Sequence, residues 1–143
     1  MSQQRFLVPV DGSAHSLAAV RYAVKLVRQL TGDIVLLHCH KPFPITLGEP
    51  YFQRAITKIA EKSEELLTPF RELLSQSDIK HEVRILEGPA AEKIASVARI
   101  EQCEMIIMGS RGLGDLKGLV LGSVAHRVLH SAPCPVLVIR EIA

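Results

Sequence analysis

The stretch from Gly109 to Ser123 gathers the groups most able to do chemistry: glycines at 109, 112, 114, 118 and 122, serines at 110 and 123, and Arg111. Glycines let a backbone turn tightly and approach a ligand closely, with amide N–H groups facing it. Gly122-Ser123 stands at the predicted start of a helix, where unpaired amides, a hydroxyl and the helix dipole favour an anion. A triphosphate would satisfy those donors, whereas a neutral ligand would leave several unmade. The same glycines could serve only as a pliable strand-to-helix connection, and their spacing alone leaves both readings open.

A second group, Val10-Asp11-Gly12-Ser13, follows the first apolar run and supplies a carboxylate. Other constellations fail on their own terms. Gly112-Leu113-Gly114-Asp115-Leu116-Lys117-Gly118 lacks the Gly-Lys-Ser/Thr of a P-loop, and it follows the fourth strand rather than the first, unlike a dinucleotide fingerprint. His126 and His130 are four apart on a helix, but no third metal ligand is evident, so they read as solvated or partly packed. His38 and His40 flank Cys39 near a strand end, where one hydrogen bond satisfies each. Ser13 and Ser16 beside His15 read as helix-capping residues rather than nucleophiles, because no elbow motif or triad acid accompanies them.

These groups are positioned by alternating apolar runs and helical periodicities. Arg5-Phe6-Leu7-Val8-Pro9-Val10 is predicted as a first strand. Ser13 then caps a helix with Leu17, Val20, Val24 and Val27 on one face and Gly32 as its stop. Residues 34–39 form a near-continuous apolar second strand, as burial on both faces requires. Residues 41–50 hold three prolines and a glycine and read as a loop. A long helix follows, with Phe52, Ile56, Ile59, Ser63, Leu66, Phe70 and Leu73 on one stripe and a kink or break predicted at Pro69. Residues 80–86 alternate as a third strand, and Gly88-Pro89 opens a third helix. Residues 104–108 are the fourth strand, a helix runs to about His130, and residues 135–139 are the fifth.

Strands joined by helices lie parallel, with right-handed crossovers that place helices on both faces. The expectation is an α/β fold, a three-layer doubly wound sandwich on a five-stranded parallel sheet of order 3-2-1-4-5, with residues 1–143 as one domain. Ligands of such sheets bind beyond the carboxyl ends of the strands where the winding reverses. That crevice lies between the first and fourth strands, where Asp11 and Gly109 stand.

Composition narrows the function. With 48% hydrophobic and 22% charged residues the chain of 143 residues is neither disordered nor short of core. A net charge of +2 with no Trp, two Tyr and four Phe argues against nucleic acid. No apolar run approaches the roughly 18 residues of a membrane span, and the N-terminus does not resemble a signal peptide. Cys39, Cys103 and Cys134 lie in apolar runs without CxxC spacing and read as reduced core thiols of a cytoplasmic protein.

Gly109-x2-Gly112-x9-Gly122-Ser123 resembles the nucleotide signature of the universal stress protein family, in its ATP-binding branch. The likeness spans nearly the whole chain, from Leu7-Val8-Pro9-Val10-Asp11-Gly12-Ser13 through residues 106–112 to residues 132–138. The resemblance implies that Gly109, Gly112, Gly122 and Ser123 hold the phosphates and ribose of ATP. It implies that Asp11 meets the ribose or a phosphate-bound Mg2+ or Mn2+, and that Val10 and the Cys39 backbone frame the adenine beside Pro9 and Met108. Ser110, Arg111 and Val124 would line the same mouth, with Arg111 as counter-charge. The sequence departs from many members at Ala125-His126, where they carry a hydroxyl and an acid. The family also pairs its last strand across a two-fold axis, which implies a homodimer through Val136-Ile139, an apolar sheet edge that favours a covering chain. The resulting expectation is a nucleotide-responsive stress and regulatory binding protein, whose ligand orders the loop after the fourth strand and residues 41–50. Its protein partner is not identified. Two rivals remain: an ATP-hydrolysing or phosphate-transferring enzyme using Asp11 and a cation, although no second acid or water-positioning Gln is evident, and a nucleotide-free dimerisation module.

Overall fold

The computed structural model describes residues 4–43, 46–112 and 120–140. Among these residues five strands, β1 (Arg5–Pro9), β2 (Asp33–His40), β3 (His81–Glu87), β4 (Met105–Gly109) and β5 (Val136–Ile139), alternate with four helices, α1 (Ala14–Leu30), α2 (Tyr51–Gln76), α3 (Ala90–Ile100) and α4 (Ser123–Ser131). The strands form one sheet in the order β3-β2-β1-β4-β5, and each neighbouring pair is parallel. This is the doubly wound order expected from the sequence.

The apolar strands divide their side chains between two layers. Phe6 and Val8 of β1 and Ile34 and Leu36 of β2 pack with α1 and with Leu67, Phe70 and Leu74 of α2. Leu7, Val35 and Leu37 point the other way, against Ile94 and Ala98 of α3 and Val128 of α4. Period-two alternation between two buried faces is why these strands read as continuous apolar runs.

α1 begins as predicted. The Ser13 hydroxyl accepts the Ser16 N–H at 3.1 Å, and the Ser16 hydroxyl donates to the Ser13 carbonyl at 2.9 Å, so both serines cap. Its end differs from the prediction. The left-handed residue is Thr31 (φ 52°), not Gly32. Gly32 is needed for space instead: a Cβ there would lie 2.5 Å from the Phe6 ring and 2.8 Å from the Gln4 carbonyl.

α2 runs unbroken through Pro69. A proline deprives the carbonyl four residues earlier of its partner; that residue is Glu65, and both it and Pro69 are exposed, so water can take the bond. The deeply buried stripe is Ser63, Leu67, Phe70 and Leu74, while Phe52, Ile56 and Ile59 are only half-buried. The cysteines are unpaired, but Cys103 and Cys134 stand just outside β4 and β5 rather than within strands. Among the described residues, no helix is long and apolar enough to cross a membrane.

Candidate functional site

The carboxyl ends of β1 and β4 diverge where the winding reverses, and a cavity of about 140 Å³, open to solvent, lies there. The structure brings Pro9, Val10, Asp11, Cys39, Met108, Gly109, Arg111, Gly112, Gly122, Ser123 and Val124 together on its wall. Ser110 is absent from that lining. Its side chain is 1% exposed, and its backbone is a tie instead: its N–H donates to Ile139 at 2.8 Å and its carbonyl accepts from Gly122 at 2.6 Å. That second bond closes the neck of the connection between β4 and α4, so Arg111-Gly112 and Ser123-Val124 face one space. Gly114 and Gly118 lie outside the described residues.

The glycines differ in purpose. A Cβ on Gly109 would come within 2.7 Å of the His15 Cβ and 2.8 Å of its carbonyl carbon, so this glycine seats the first turn of α1. Gly122 has φ −75°, open to any residue. Its importance is positional. As N-cap of α4 it brings no side chain, and no acidic residue stands in the first turn, so the opening amides of α4 lie outside the helical ladder at the positive end of the helix dipole.

Two side chains of opposite charge, Asp11 and Arg111, share the wall. Asp11 Oδ1 accepts the Ser13 N–H at 2.9 Å, which fixes the carboxylate at the turn into α1. A carboxylate so held is the hard oxygen donor that Mg2+ or Mn2+ takes together with phosphate oxygens. Among the described residues, no cluster of three or more His, Cys, Asp or Glu could hold a metal unaided.

The inner wall is apolar, with Leu37, Ile94 of α3 and Met108. Its polar edge is backbone. Leu37 turns its carbonyl to β1, accepting from Val10 at 2.8 Å, and His40 turns its carbonyl to β3, accepting from Gly88 at 2.8 Å. Polar groups of successive strand residues alternate in direction, so the N–H and C=O of Cys39 face the β1 side, beyond the end of β1 at Pro9. Burial pushes the Cys39 thiol up to about 11, with Lys93 opposing, so at neutral pH it is protonated.

Sequence reasoning missed Ser16, Leu37, Ala90 and Ile94, which also line the cavity, and noted Ala125 only as a departure from the family. Leu37 was accessible in principle, being two residues before Cys39 on the same strand face. Ala90 and Ile94 needed the packing of α3 against β2. His38 and His40 each meet one carbonyl, Val10 at 3.0 Å and Lys41 at 2.7 Å respectively.

Residues 3–140 match the sequence profile of the Universal stress protein family. A universal stress protein of Thermus aquaticus, from the 3′ region of a QAH/OAS sulfhydrylase, is 34% identical over 135 residues, covering 94% of this chain and 96% of that one. Among solved structures, hypothetical protein MJ0577 superposes with a TM-score of 0.87 at 26% identity, covering 100% and 99% of the two chains. An AMP-bound family protein of Arabidopsis thaliana shares the fold with a TM-score of 0.72 at 22% identity, covering 98% and 93%. With a profile match over almost every residue and a relative this similar along its full length, the chain belongs to the universal stress protein family.

Proposed function

We propose that the chain is an ATP-binding regulatory protein, in which the nucleotide is a conformational ligand rather than a substrate. The observation that carries this reading is the N-terminus of α4, capped by Gly122 with no side-chain hydrogen bond, on the wall of a cavity that also presents Asp11 and Arg111. The amides of α4, with Gly112, Gly122 and Ser123, would take phosphate oxygens, and Arg111 would offset their charge. Asp11 would reach Mg2+ or Mn2+ on the phosphates, or the ribose. Pro9, Met108, Gly109 and Val124 would enclose the nucleoside.

The strand edge supports adenine as the base. Adenine presents the N6–H donor beside the N1 acceptor, whereas guanine has the acceptor O6 and the donor N1–H at the same two places. The donor and acceptor of one residue, Cys39, would complement adenine, and guanine held in the same pose would set donor against donor and acceptor against acceptor. The AMP-bound plant relative supports the same ligand class. The open edge of β5 supports a homodimer, and the net charge of only +2 supports a reading without nucleic acid as partner.

Nucleotide extracted from freshly purified protein, followed by a turnover assay, tests the reading. Co-purifying adenine nucleotide with little phosphate release supports it. Steady ATP hydrolysis that disappears in Asp11→Ala while binding persists would replace it with the enzymatic alternative. Protein that carries no nucleotide and gains none from Mg-ATP would leave only a dimerisation module.

A further inference from the structure

We propose that His38 is a positioning residue, which holds the Val10 carbonyl and so leaves the Cys39 amide available to the base; the role rests on the nucleotide reading above. His38 is only 8% exposed and lies on the β2 face that carries Ile34 and Leu36, in the apolar layer against α1 and α2. An imidazole there needs a partner, and it has one: Nδ1 donates to the Val10 carbonyl at 3.0 Å. A carbonyl only accepts, which places the proton on Nδ1.

The choice of acceptor matters because of where the β1–β2 ladder stops. Val10 N–H donates to Leu37 at 2.8 Å, a regular parallel rung. In such a ladder the next rung runs from the Cys39 N–H to the Val10 carbonyl. Among the described residues that rung is not formed, and the ring of His38 holds the carbonyl in its place. Cys39 lines the cavity, and its N–H faces the β1 side beyond Pro9. The imidazole thus ends the sheet one rung early and converts a ladder donor into a ligand donor. An apolar residue at 38 would release the carbonyl and let the rung close, hiding the donor that distinguishes adenine.

The test follows the Cys39 amide by NMR hydrogen exchange in the full chain, together with ATP affinity by calorimetry, for wild type, His38→Leu and His38→Asn. Asn places an N–H donor close to where Nδ1 stands. In wild type the amide should exchange rapidly in free protein and slow when Mg-ATP is added. In His38→Leu it should be slow before any nucleotide is added, with ATP bound about tenfold more weakly, the worth of one hydrogen bond. His38→Asn should restore most of the affinity, which a merely structural role would not require. Slow exchange in free wild type overturns the proposal, and this arm needs no variant to fold. So does wild-type ATP affinity in a folded His38→Leu. Fast wild-type exchange that slows in His38→Leu, in protein indifferent to Mg-ATP, would keep the strand-end arrangement but overturn the nucleotide reading and, with it, the role in base recognition.

Discussion

Single atoms decide much at this site. Gly109 looks in the sequence like a ligand-facing glycine, yet its missing Cβ makes room for the backbone of His15. Gly109→Ala should therefore destabilise the fold by about 1–3 kcal/mol, the usual cost of overpacking, as measured by urea denaturation. Gly48→Ala is the matched control: a Cβ there meets nothing within 4 Å, and its stability should be nearly unchanged. The cysteines give a second residue-scale outcome. Burial, reinforced by Glu101 at Cys103, holds the Cys39 and Cys103 thiols up at about 11 against an ordinary 9.0. Between those values the unfolded chain has lost protons that the folded chain keeps, so their contribution is complete below pH 9.0 and is lost as pH rises toward about 11. Thermal melts across that window should fall more steeply for wild type than for the Cys39→Ala, Cys103→Ala double variant. An identical slope would mean that the thiols titrate normally.

At the scale of elements, β5 exposes a pairing surface with a readable polarity. The carbonyls of Pro135 and Ile139 face β4, accepting from Ile106 at 3.0 Å and Ser110 at 2.8 Å. By alternation the polar groups of Val136 and Val138 face the open edge. Val138→Pro thus removes an outward N–H while sparing the β4 ladder, as proline is tolerated at an edge. Light scattering should give twice the chain mass for wild type and a single chain mass for this variant, with its circular dichroism unchanged; a variant that stays dimeric would move the interface elsewhere. The elements themselves were largely legible in the sequence, because buried parallel strands and amphipathic helices carry distinct periods. What was not legible depended on neighbours distant in the chain. Pro69 breaks nothing because it and Glu65 face solvent. Gly32 answers to the Phe6 ring rather than to the helix it follows. Ser110 is a backbone tie to β5, which no spacing within its own loop could reveal.

Across the whole molecule, stability and ligand chemistry occupy opposite poles. At the amino ends of the strands Glu101 meets Arg5 at 2.6 Å and Arg84 at 3.0 Å, fastening the end of α3 to β1 and β3. At the carboxyl ends, residues of β1, β2, β4, α3 and α4 converge on one cavity. The sequence placed this crevice correctly because strand order alone determines where the winding reverses. It did not reveal the apolar wall from α3, whose approach depends on packing. Binding at such a pole couples directly to stability: ligand at a hundredfold excess over its Kd stabilises the native state by about 2.7 kcal/mol. The decisive experiment is calorimetric titration of the full chain with Mg-ATP and, in parallel, Mg-GTP, paired with melting curves. One ATP per chain, a raised Tm, and GTP bound about tenfold or more weakly are expected from the Cys39 edge and the α4 amides. No heat and no change in Tm at millimolar Mg-ATP, or equal affinity for the two nucleotides, would contradict it.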